Sequence, residues 1–178
     1  MKILMHILTI WLCLIVFPVV SLFGNQTISI KQEIERALSK GVGWLNGEQN
    51  RTSGSWGEPD YPALTGLALR ATMGHPDIKF AKRYASNQKK GFAFLVSKVQ
   101  SDGGIYGKGL ASYNTSICLM AFLQTKNAKY EDIIQTARRF LINQQSDFDT
   151  KGEGDNTFDG GVGYGSRWAH SDLSNTHL

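Results

Sequence analysis

Few side chains in this 178-residue sequence are of a type and spacing that could do chemistry. His170 and Asp172 lie two residues apart and form the one pair that could act as base and acid. Two further acidic pairs, Asp147 with Asp149 and Glu153 with Asp155, fall in a Gly-rich polar stretch, where solvated carboxylates keep ordinary pKa values and make poor acids at neutral pH. Cys118 is flanked by Ile117, Leu119 and Met120, which would desolvate a thiolate, so it reads as a small core residue rather than a nucleophile. His75, His170 and His177 stand singly and no Cys/His cluster has ligand spacing, so neither a metal nor a cofactor is expected.

The elements that would carry these residues belong to one globular domain, since 42% of the sequence is hydrophobic and 19% charged. The net charge is +4, and the basic residues are dispersed among acidic ones without a run of five, so no nucleic-acid surface is expected. After Met1-Lys2 an apolar run extends from Ile3 to Phe23 and gives way to Asn25-Gln26-Thr27. Residues 1–24 thus read as a signal peptide or, because the run is long, as a membrane anchor through residues 3–23. In either case residues 28–178 are expected outside the cytoplasm, periplasmic or extracellular.

The pattern within 28–178 is helical throughout. Ile30, Ile34, Ala37, Leu38, Val42 and Leu45 predict an amphipathic helix over 28–47, with Ser29 and Gln32 as a capping box. Residues 63–72 and 114–124 are apolar on nearly all sides, which predicts short helices buried on most of their surface. Between and after them, 78–99 and 130–145 are amphipathic again, the first weakened in its middle by Gly91. Asp77, after Gly74-His75-Pro76, is placed to cap the segment at 78.

Half-buried helices alternating with fully buried ones imply two layers of helical hairpins, an outer set around an inner set. The chain also repeats. Gln49, Gln100 and Gln145 are spaced by 51 and 45 residues, each at the end of an amphipathic helix and followed by a Gly-containing turn and an aromatic residue: Trp56, Tyr106 and Tyr164. The loop Asp102-Gly103-Gly104-Ile105-Tyr106-Gly107 matches Asp159-Gly160-Gly161-Val162-Gly163-Tyr164-Gly165 with one residue inserted, and Tyr113-Asn114-Thr115 matches Ser174-Asn175-Thr176.

On these residues the chain resembles the squalene-hopene cyclases and oxidosqualene cyclases, and more loosely the β subunits of protein prenyltransferases. Lys40, Gly41, Trp44, Leu45, Gln49, Gly54 and Trp56 match that family's QW motif, with Gln100 and Gln145 in weaker copies where Tyr106 and Tyr164 stand in for tryptophan. The resemblance covers residues 30–178 and implies an all-α fold, an (α/α) toroid or barrel of helical hairpins, in which the glutamine ties one helix end to the adjoining repeat. Only about two and a half hairpins are present where a closed toroid needs roughly five or six, so an N-terminal segment of a longer toroid is expected. Asn46-Gly47-Glu48-Gln49 also resembles the thioester motif of complement-like toroids, but Asn46 holds the place of the reactive cysteine.

The family's chemistry is not carried over with its fold. The Asp-x-Asp-Asp acid of the cyclases is absent, and the zinc ligands of the prenyltransferases have no counterpart. The expectation is therefore a non-catalytic binding or scaffold module with a hydrophobic or peptide ligand in the toroid cavity. The alternative is the first part of a terpenoid cyclase whose acid motif lies beyond Leu178. A cavity mouth at the inner-helix N-termini would gather Glu58, Asp60, Tyr61, Tyr113, Asn114, Trp168, His170 and Asp172. The opposing reading is that Asp60, Asn114 and Ser174 or Asn175 cap helices.

Overall fold

The computed structural model describes residues 29–146, 160–165 and 170–177. The apolar run 3–23, the acidic pairs in 147–159 and Trp168 lie outside the described residues, and no described helix is long and apolar enough to cross a membrane. The chain divides into two units, Met1–Gly41 and Val42–Leu178.

The described residues are all-α. Helix α1 spans 29–47, so Ser29 and Gln32 are already helical. Of the first unit it carries residues 29–41, with Ile30, Ile34 and Leu38 exposed on one stripe. Beside them Lys31 and Glu35 form an exposed pair at 4.0 Å, worth at most about 0.5 kcal/mol.

The second unit contains α2 (Ala63–Met73), α3 (Ile78–Arg83), α4 (Ala85–Ser97), α5 (Ala111–Thr125), a 3-10 turn (Ala128–Tyr130), α6 (Glu131–Ile142) and the short α7 (Leu173–Thr176). The segment expected as one helix over 78–99 is two, because the chain turns at Tyr84. Asp77 caps α3 by accepting from the Lys79 N–H at 2.8 Å, as its position predicts. Helix α5 starts at Ala111, three residues before the expected start, after Leu110 adopts a left-handed backbone (φ 51°).

Helices α2 and α5 pack side by side, with α4 against α2 and α6 against α5. Their contacts rise together along both chains: Ala63 meets Asn114, Gly66 meets Ile117 and Arg70 meets Met120. Two helices whose paired residues advance in the same direction are parallel, and the shift of 50 to 51 residues is the sequence repeat. The approach at Gly66 is close, since a Cβ there would lie 3.2 Å from Ile117 Cγ2.

Between the two layers sits one core of Trp56, Leu69, Phe92, Leu95, Ile105, Cys118, Phe122, Tyr130, Ile134 and Ala137. Phe92, Phe122 and Tyr130 form an aromatic triad with centroids 4.8 to 5.4 Å apart. Burial pushes the Cys118 thiol well up, consistent with an inert core residue. One expectation is met on only part of the surface. Helices α2 and α5 bury one side, but Leu64, Leu67, Met120 and Leu123 are exposed on the other, because the second layer covers a single face.

Candidate functional site

Three turns connect the layers, and their backbone hydrogen bonds put them in register. Asn50 N–H donates to Ser55 O (2.9 Å), Gln100 N–H to Gly104 O (2.8 Å) and Ser146 N–H to Gly161 O (2.8 Å). Before each acceptor stands a glycine in the left-handed region, Gly54, Gly103 and Gly160, with φ of 79°, 89° and 79°. After it comes a residue whose N–H donates to a threonine hydroxyl on an inner helix: Trp56 to Thr65 (2.9 Å), Ile105 to Thr115 (2.8 Å) and Val162 to Thr176 (3.1 Å). These threonines are a recurring part of the clasp, and the repeat Gly-Ser-Trp, Gly-Gly-Ile, Gly-Gly-Val is the sequence signal that leads to them.

In this register Gln49 and Gln145 are equivalent, and each donates from Nε2 to the glycine carbonyl at 2.8 Å, Gly54 and Gly160 respectively. Gln100 lies one position further on, at the place of Asn50, and binds Tyr106 O (2.7 Å) and Lys98 O (3.2 Å) instead. Val99 holds the glutamine position in the second turn and packs on the core. Gln49 also ties α1 to α4, donating to Asn87 O (2.9 Å) and accepting from Asn87 Nδ2 (2.8 Å). By the same register, Trp56 is matched by the buried Ile105 and by Val162, while Tyr106 and Tyr164 fall one and two residues later.

Tyr106 has its own role, donating its phenol to Asp102 Oδ2 at 2.6 Å. That bond foremost, then partial burial and the Asp102 charge, pushes the phenol up to about 12. A raised pKa favours the neutral form in the fold, so the stabilisation is complete below about pH 10 and is lost as pH rises from there through about 12. Ultraviolet titration should resolve one tyrosine ionising late, and Asp102→Asn should return it toward the ordinary range; an unchanged curve would contradict this.

The residues expected at a cavity mouth lie along the N-termini of α2, α5 and α7. Asp60 O accepts from the Lys108 N–H (3.2 Å), with Gly107 against the Asp60 backbone, and Tyr61 is exposed beside it. Asn114 is fully buried and accepts from the Ala63 N–H at 3.0 Å, closing the N-terminus of α2, whose cap residue Pro62 makes no side-chain cap bond. Its Nδ2 donates to Gly109 O and Leu110 O (3.1 and 3.0 Å), which holds the left-handed entry to α5. Tyr113 lies 6.4 Å from Tyr164, centroid to centroid, and Tyr164 Oη meets Ser174 Oγ at 2.8 Å. Asp172 Oδ1 accepts from the Ser174 N–H (2.9 Å) and from its hydroxyl, so this carboxylate is engaged at the opening of α7. His170 is exposed two residues before it.

None of these residues lines the apolar groove of the second unit. A groove of about 730 Å³ runs between the end of α1, the first turn and α2. Trp44, Leu64 and Leu67 form its apolar walls and are 66%, 45% and 44% exposed, with the buried Trp56 and Ala68 beneath them and the exposed Ala71 alongside. Glu48, Asn50 and Ser55 supply its polar side. Such a concave apolar surface with a few polar groups is suited to a ligand. The sequence shows that α2 is apolar on nearly all sides, but not which of its faces stays open. Among the described residues, no group of His, Cys, Asp and Glu is placed to hold a metal. Searches of protein-family models, curated proteins and solved structures find nothing that matches this chain.

Proposed function

We propose that the chain forms an exported squalene-cyclase-like (α/α)-toroid repeat domain, acting as a binding or scaffold module that takes a hydrophobic or peptide ligand. The observation that carries this reading is the groove, which keeps Trp44, Leu64 and Leu67 in water on a helix layer already packed on its other side. The parallel, repeat-spaced packing of α2 and α5 supports the toroid, since the same step applied again generates a curved layer of inner helices. The family's cyclase acid is missing from the sequence, and the polar groups of the groove are suited to orienting a ligand rather than protonating one.

Trp44 and Trp56 line the groove, so ligand entry should change tryptophan emission. Titration of the full chain with dodecanol or farnesol is expected to give a saturable change. Leu67→Glu, at an exposed position, should weaken it about tenfold or more while leaving the thermal midpoint within a few degrees. Equal titration of both proteins would overturn the assignment of the groove.

A further inference from the structure

We infer that the ligand of this groove is an α-helix lying parallel to α2, with small residues turned toward Leu64 and Leu67. The inference rests on the groove being a binding face and adds the class of occupant. Thr65 and Thr115 accept the same turn bond, so positions on α2 and α5 correspond with a shift of 50. Helix α5 meets α2 through Asn114, Ile117 and Cys118. Their counterparts on α2 are Leu64, Leu67 and Ala68, and all three line the groove. The groove thus repeats, one repeat earlier, the face that α5 already uses to receive a parallel helix.

The established contact also states what fits. Facing α5, helix α2 presents Ala63 and Gly66, and the latter has no room for a Cβ without displacing Ile117 by a few tenths of an ångström. An incoming helix therefore needs small residues three apart. Its direction is that of α2 on α5, whose paired residues advance together along both helices. Leu64 replaces Asn114, the acceptor for the first N–H of the docked helix, so the occupant must bring its own N-cap.

The probe is a peptide of the sequence 60–75, which already packs this way on α5, with Pro62→Asp to supply the N-cap that the native segment lacks and with two lysines and a fluorophore added at its C-terminus. Fluorescence anisotropy with the full chain should show saturable binding, weakened about tenfold or more by Gly66→Leu in the peptide or by Leu67→Glu or Ala71→Glu in the protein. A scrambled peptide should not bind. Thermal melts of the protein variants confirm that they fold, and the peptide variant tests the register without touching the protein. Equal binding of the Gly66→Leu or scrambled peptide overturns the inference. Binding of dodecanol but of no peptide also overturns it and leaves the groove as a site for small hydrophobic ligands. Failure of both ligands removes the broader reading as well.

Discussion

Replacing Trp56 by alanine is expected to destabilise the second unit by about 3 to 5 kcal/mol, the range for deleting a large buried ring. Trp56 is 3% exposed and sits where the first turn, α1 and the inner layer meet. Its indole N–H donates to Leu45 O at 2.6 Å and its backbone N–H to Thr65 Oγ1 at 2.9 Å. Alanine keeps the backbone bond, removes the indole bond and leaves a cavity against Leu69 and Gly91. Trp56→Phe separates the two terms, since it retains most of the ring and loses the indole donor, with an expected loss nearer 1 kcal/mol. Urea denaturation followed by circular dichroism measures both. Near-equal losses for the two variants would show that the ring's packing is not the main contribution.

Gly91→Ala is expected to destabilise by about 1 to 3 kcal/mol, although alanine is the better helix former by about 1 kcal/mol. Gly91 is buried in α4, and a Cβ there would lie 2.8 Å from Trp56 Cζ3 and 2.9 Å from Leu69 Cδ2. Both neighbours are core residues without room to withdraw, so repulsion outweighs the propensity gain. Gly41→Ala is the control. That glycine is helical and exposed with nothing within 4 Å of its Cβ position, so alanine there should stabilise by about 0.5 to 1 kcal/mol. The opposite signs are the prediction, and a gain at Gly91 would contradict the packing of α4 on the Trp56 turn.

Gly91 also marks the limit of local reasoning. In the sequence it weakens a helix; in the fold it is the point where α4 approaches the inner layer. The helices themselves were legible because they follow from short-range periodicity. The spacing of Ile133, Ile134, Ala137 and Phe140 predicts α6, and the stop at Gly74-His75-Pro76 with the cap at Asp77 is recovered in place. The alternation of amphipathic and apolar helices predicts the two packed layers, since each apolar face must be covered by a neighbour.

What tertiary structure alone decided are the bonds made within each turn, the contacts between repeats and the face left open. A glutamine one position along a turn looks the same in sequence, yet it exchanges the Gly54-type bond of Gln49 for the Tyr106 carbonyl bound by Gln100. Asn114 reads as a helix cap for its own segment, but it closes the N-terminus of α2, because parallel packing brings the Ala63 N–H to it. The groove was hidden for the same reason. Periodicity states that Leu64 and Leu67 are apolar, whereas which apolar face remains open depends on how many helices pack around α2. Sequence determined the all-α class, the repeat and, apart from the break at Tyr84, the helix boundaries to within a few residues, because these are local. The cross-repeat cap was decided by packing, because it is a contact that exists only once two repeats lie side by side, and the clasp register and the candidate site by the turn geometry and the face that packing leaves open.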